Sequence, residues 1–182
     1  MQRLISLVLI CLSLQPVARG DYPPAGVDMR LQRLSDHVYL VQGEAGVATD
    51  NEGFISNAGV VVTGDGVVVF DALGTPSLAD LLLSKIREIT DKPIVRVITS
   101  HYHADHIYGL QVFEEQGAEV WAPVGAEKYL RSQNARERLE ERRFSLDPWV
   151  NDSTRLVEPD RYIAEQENFS LGGVRFTVSP VG

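Results

Sequence analysis

Val60-Val61-Val62 and Val67-Val68-Val69-Phe70 flank Gly64-Asp65-Gly66, and no other stretch restricts the fold of this chain so tightly. β-Branched residues favour the pleated strand, and a glycine-bounded aspartate between two such runs predicts an antiparallel hairpin. A strand with one wet face alternates apolar and polar residues, whereas these runs are apolar throughout. The hairpin therefore belongs to a sheet covered on both faces, and the rest of the chain must supply the covers.

The neighbouring segments supply strands and helices in alternation. His37 to Gln42 alternates like a half-buried strand ahead of a glycine-spaced acidic loop, Gly43 to Gly53, whose Asp50, Asn51 and Glu52 read as a solvated turn. Thr75-Pro76 opens a helix, with a hydroxyl at the cap and proline at the first helical position. Leu78, Leu81, Leu82, Ile86 and Ile89 give that helix one apolar stripe. Asp91-Lys92-Pro93 ends it, and Ile94 to Thr99 forms the next strand. Beyond lie a predicted helix from Ile107 to Gln116, a short strand from Glu119 to Ala122 and a long helix from about Gly125 to Arg143. After a less regular stretch, strands are predicted at Tyr162 to Ala164, Phe169 to Leu171 and Val174 to Val178, the last two joined by Gly172-Gly173. Strand, helix and strand in this order make an α/β architecture, and such sheets place their sites at the C-terminal ends of the strands.

The residues at that position carry the chemistry. His101-Tyr102-His103-Ala104-Asp105-His106 holds three of the four histidines of the chain, directly after a predicted strand and before a predicted helix. In extended geometry His101 and His103 point the same way, so both can reach one ion. Asp105 and His106 lie where the chain turns into the helix, and their side chains diverge toward a second ion about 3.5 to 4 Å off, the spacing of two-metal hydrolytic sites. Imidazole and carboxylate donors suit zinc, although iron or manganese can occupy them. Closed structural zinc sites are usually rich in cysteine, and this cluster has none, so an open catalytic site is expected. His37 reads as a surface residue, and Trp121 as core.

With these residues in place the chain resembles the metallo-β-lactamase superfamily of metal-dependent hydrolases. The likeness covers the valine hairpin, Phe70-Asp71 at its strand end, the connecting helix and Ser100 to Gly109. A narrower resemblance is to periplasmic hydrolases that accompany sulfur-oxidation and quinoprotein systems. The family implies an αβ/βα sandwich, of which this chain would hold the first half and the start of the second. It implies two zinc ions, one on His101 and His103, the other on Asp105 and His106, with Asp105 also orienting the nucleophile. Asp71 is implied to hydrogen-bond near the site and fix its loops. The implied reaction is attack of zinc-generated hydroxide on an ester, thioester, lactone or lactam-like bond. An iron-dependent thiol persulfide dioxygenase and a non-catalytic metal-binding fragment remain alternatives. Family members add a third histidine, a bridging aspartate and a last histidine later in the chain. None follows before Gly182, so residues 21–182 are expected to be a truncated domain with weak metal retention.

Composition narrows the setting. Met-Gln-Arg3, the apolar run Leu4 to Leu14 and Ala18-Arg19-Gly20 have the three zones of a signal peptide spanning residues 1–20, too short for a membrane anchor, which points to a bacterial periplasm. Cys11 lies within it, so the mature chain is expected to lack thiols. A formal charge of -8 repels phosphate backbones, leaving a small-molecule substrate rather than nucleic acid as the expected partner. Arg136, Arg138, Arg142 and Arg143 interleave with Glu137, Glu140 and Glu141, the pattern of a salt-bridged, solvated helix face.

Overall fold

The computed structural model describes residues 20–180, so the expected signal peptide and its Cys11 lie outside the described residues. Seven strands form one sheet in chain order: β1 (Leu31–Arg33), β2 (Val38–Val41), β3 (Ala58–Val62), β4 (Val67–Phe70), β5 (Ile94–Ile98), β6 (Glu119–Pro123) and β7 (Arg161–Ile163). The first four pair antiparallel, and β4 to β7 run parallel. The valine hairpin is the β3–β4 pair, with Val60 opposite Val69 and Val61 opposite Val68. Its turn is held by Thr63, whose hydroxyl donates to the Gly66 carbonyl at 2.8 Å.

Parallel pairing needs crossovers, and the helices supply them. α1 (Pro76–Arg87) links β4 to β5; α2 (Ala104–Ile107) and α3 (Leu110–Glu115) link β5 to β6; α4 (Ala126–Leu130) and α5 (Gln133–Ser145) link β6 to β7. Thr75 caps α1 by accepting from the Leu78 amide at 3.1 Å, and Leu78, Leu82 and Ile86 of the stripe are buried. Ile89, beyond the helix end, is exposed instead.

Alternate residues of the central strands enter two different cores. Val67, Val69, Val97, Val120 and Ala122 pack with α1, α3 and the α4–α5 region. Val61, Val68, Ile98 and Trp121 face the other way, against a second, two-stranded sheet made by β8 (Glu167–Leu171) and β9 (Val174–Val178). Phe169 and Phe176 of that hairpin stack on each other at 4.6 Å, and Trp121 meets Phe169 edge-on at 5.3 Å. The Arg96 guanidinium lies 3.8 Å above the Trp121 ring, closing the interface by cation–π contact. The two turns also meet, since Gly64 donates its amide to the Gly172 carbonyl at 2.8 Å. This double cover explains why the valine runs do not alternate.

Two predicted helices are each broken. At the start of the Ile107 to Gln116 stretch, the preceding Asp105 carbonyl accepts the Ser56 hydroxyl, while the Gly109 amide turns to the Leu73 carbonyl at 3.4 Å. The 105-to-109 helical bond is thereby replaced by tertiary ones, and α3 starts afresh at Leu110. Within Gly125 to Arg143, Ser132 caps a new helix by accepting from Ala135 at 3.1 Å.

Candidate metal centre

The site sits where β4 and β5 end side by side. Phe70 pairs with Ile98, so Asp71 and the Thr99-Ser100-His101 segment emerge together, and the Asp71 amide donates to the Ile98 carbonyl at 3.0 Å. The backbone then folds tightly: Asp71 and Leu73 have φ of 62° and 65°, left-handed values that cost a non-glycine residue conformational energy. The turn is clamped by the Ala72 amide on the His106 carbonyl at 2.9 Å and by close approach of Gly109. A Cβ at Gly109 would stand 1.9 Å from the Ala72 carbonyl oxygen, so only glycine permits this approach.

The four expected ligands come together. His101 and His103 rings have centroids 4.6 Å apart, and His101 and His106 rings 4.1 Å apart. The expected divergence of His106 from the first pair is thus slight, because α2 begins at Ala104 and brings the next turn back over His101. His106 Nε2 is 3.2 Å from Asp105 Oδ2. That is a hydrogen-bond distance, and because two donors bound to one tetrahedral ion at about 2.0–2.1 Å stand roughly 3.3 Å from each other, an ion would take the place of the shared proton. Among the described residues, no group of three or more His, Cys, Asp or Glu side chains is arranged to hold a metal ion. His106 is instead turned between Asp105 and Asp71.

Asp71 organises this cluster. Its Oδ1 accepts the Ser100 amide at 2.7 Å and its Oδ2 accepts the Ser100 hydroxyl at 2.8 Å. His106 Nδ1 lies 3.0 Å from the same Oδ2, an ion-pair distance with the carboxylate off the line of the ring N–H. His101 Nδ1 is 2.9 Å from the Ser100 hydroxyl oxygen. A carboxylate only accepts, so the single Ser100 hydrogen goes to Asp71 and the hydroxyl oxygen accepts from His101 Nδ1–H. His101 is left with its lone pair on Nε2, the form that binds metal.

The charges follow the same contacts. Burial pulls the His106 pKa down, but the hydrogen bond to Asp105 and the negative charges of Asp71 and Asp105 outweigh it and bring the ring up to about 9. The His106 hydrogen bond lowers the Asp105 pKa, keeping that carboxylate ionised. Burial lowers the His101 pKa, helped by the neighbouring His106 and His103. His101 is therefore neutral and Asp105 anionic at neutral pH, as metal ligation requires, whereas His106 is cationic in the metal-free site and would release its proton to ligate.

A cleft of about 670 Å³ opens over His103, Ala104 and Asp105 and is walled by Tyr129 and the α5 residues Asn134, Glu137, Arg138, Glu141 and Arg142. The expected ion pairs of α5 form, Arg138 to Glu141 at 2.9 Å among them, yet this charged face borders the site as well as solvent. Sequence reading missed that wall, and missed Ser56 and Ser100. Ser100 adjoins His101 and was open to inference from that adjacency; nothing in the spacing of Ser56 or Arg142 marks either. Away from the site, His37 is exposed with Nδ1 2.9 Å from the Val62 carbonyl, and Trp121 is 3% exposed in the core. Tyr102 donates to the Pro123 carbonyl at 2.8 Å and stacks on Tyr129.

Known proteins share this fold. The solved metallo-beta-lactamase from Pontibacter korlensis superposes with a TM-score of 0.57 at 19% identity, covering 81% of this chain and 58% of that one. A stereoselective inverting sec-alkylsulfatase from Pseudomonas sp. gives 0.60 at 22% identity, over 83% of this chain and 27% of that one. In sequence, a linear primary-alkylsulfatase from Pseudomonas sp. (strain ATCC 19151) is 35% identical over 54 residues, 29% of this chain and 10% of the relative. The chain thus spans little more than half the length of the first structure and much less of the two sulfatases. Residues 51–181 match the family profile described as the Metallo-beta-lactamase superfamily. The chain belongs to the metallo-beta-lactamase superfamily, a family of hydrolases that generally bind metal ions.

Proposed function

We propose that the intact protein is a zinc-dependent hydrolase acting on an ester, thioester, lactone or lactam-like bond of a small molecule. The observation that carries this reading is the convergence of three imidazoles and Asp105 under an open cleft at the end of a parallel strand. His101 and His103 hold one zinc and Asp105 and His106 a second, with Asp71 orienting His106 directly and His101 through Ser100. Bound zinc supplies the acidity that makes water a nucleophile at neutral pH, lowering its pKa from 15.7 to about 7. Asp105, kept anionic by His106, accepts a hydrogen bond from the attacking water and aims it into the cleft.

Elemental analysis of the full-length protein, followed by a panel of lactam, lactone, thioester and sulfate-ester substrates, tests the proposal. Zinc with turnover of one class supports it; bound iron with oxygen consumption on a thiol persulfide rejects it. Asp105→Ala is expected to remove most of kcat, on the order of 100-fold or more. Turnover near that of the wild type would remove Asp105 from the mechanism. The same proposal places the protein in a bacterial periplasm, supported by the zoning of residues 1–20, and N-terminal sequencing of the mature protein checks it.

A further inference from the structure

The wall of the cleft carries charges that are not equally matched. Glu141 is held by Arg138 at 2.9 Å and by the Ser145 hydroxyl at 3.3 Å. Glu137 accepts from the Gln133 amide at 3.1 Å. Arg142 differs from these: its side chain is 23% exposed, and the carboxylate oxygen it approaches, on Glu141, is 3.7 Å away, beyond hydrogen-bond reach. Among the described residues its guanidinium has no hydrogen-bond partner, although a guanidinium brings five N–H donors in a flat fork. Arg142 borders both the large cleft and a second cavity of about 30 Å³, which Asp105 also lines. A cavity of that size holds a water molecule or a few substrate atoms, and Arg142 and Asp105 border it together.

We propose that Arg142 selects the substrate: it binds a carboxylate carried away from the bond to be cleaved, and so seats that bond over His103 and Asp105. The two coplanar oxygens of a carboxylate match the fork. A single negative charge is the appropriate load, because Glu137, Glu141 and Asp105 face the same space and repel a dianion. Neutral substrates of the same length lack the anchor. This assignment rests on the hydrolase reading of the site and narrows its substrate class.

The test uses the zinc-loaded full-length protein and two p-nitrophenyl esters of equal length, one with a terminal carboxylate and one with a terminal methyl. The carboxylate ester is expected to be preferred in kcat/KM by roughly tenfold or more, the scale of one charge-assisted hydrogen bond. Arg142→Gln is expected to bring that preference close to one, mainly through KM, and Arg142→Lys to restore part of it. Arg136→Gln, on the same helix but outside the cleft, keeps the preference. A preference unchanged in Arg142→Gln overturns the assignment. A second readout needs no turnover: monomethyl glutarate should shield Arg142 of the wild type from modification by phenylglyoxal, followed by mass spectrometry. Absence of shielding overturns the assignment even where both esters are cleaved. Shielding without cleavage of either ester upholds Arg142 as a carboxylate anchor while the ester-cleaving part of the hydrolase reading falls.

Discussion

At the residue scale, Asp71 is the side chain through which the site is held. It binds the Ser100 amide and hydroxyl and stands 3.0 Å from His106, so one carboxylate orients two of the three clustered imidazoles. Asp71→Ala removes these contacts and leaves alanine at a φ of 62°, so a loss of about 2–3 kcal/mol is expected in chemical denaturation. Zinc affinity should fall 10- to 100-fold, as it does when partners of ligating histidines are lost. Asp71→Asn tolerates the backbone and should regain stability without regaining the affinity; equal zinc binding in all three forms would falsify the role. A second residue governs alkaline stability. Tyr22 donates to Glu115 at 2.8 Å and accepts from Gln111, and burial, with the Glu115 charge, brings its pKa up to about 12. The folded pKa is above the unfolded one, so its contribution is complete below about pH 10 and lost as pH rises through 12. Thermal melts from pH 9 to 12 should fall more steeply for the wild type than for Tyr22→Phe.

At the element scale, the site depends on loops pressed together without side chains between them. Gly109 lets the start of α3 touch the strained Asp71–Leu73 turn, where a methyl group has no room. Gly109→Ala is expected to cost more than about 3 kcal/mol, since the added methyl would clash with the Ala72 backbone and with the Ala79 methyl group, neither of which is a flexible side-chain end. A melting temperature within a few degrees of wild type would show that the turn yields. The same contact explains the broken helix. Apolar periodicity from Ile107 to Gln116 is a true signal of burial, and Ile107, Leu110, Val112 and Phe113 are all buried. The break arises because Ser56, 49 residues earlier, takes the Asp105 carbonyl, a competitor that no local pattern reveals.

At the scale of the whole molecule, the sheet is stabilised from both sides, and the thinner side rests on Trp121. Arg96, Arg161 and Phe169 gather on its ring, joining the seven-stranded sheet to the β8–β9 hairpin. Trp121→Ala is expected to cost about 3–5 kcal/mol in urea denaturation and to loosen β8–β9 in hydrogen exchange before the rest. Uniform protection across both sheets would show the hairpin to be held by its turns.

All strands but β1, the valine hairpin, the capped first helix and the His-x-His-x-Asp-His segment were legible from residues because each is written in local terms: β-branching, a cap, a spacing of two. Local chemistry also assigned His37 to the surface and Trp121 to the core. What lay beyond reach depends on residues far apart in the chain. Ala72 of the strained turn meets Gly109 across 37 positions, Ser56 reaches Asp105, and α5 turns a face that reads as ordinary salt bridges toward the cleft. Sequence by itself determined which metal-competent side chains cluster at the end of a strand and that a two-sided sheet presents them. Tertiary structure alone decided their tautomers, their separations and the charge above them, because those follow from through-space contacts that the order of residues does not encode.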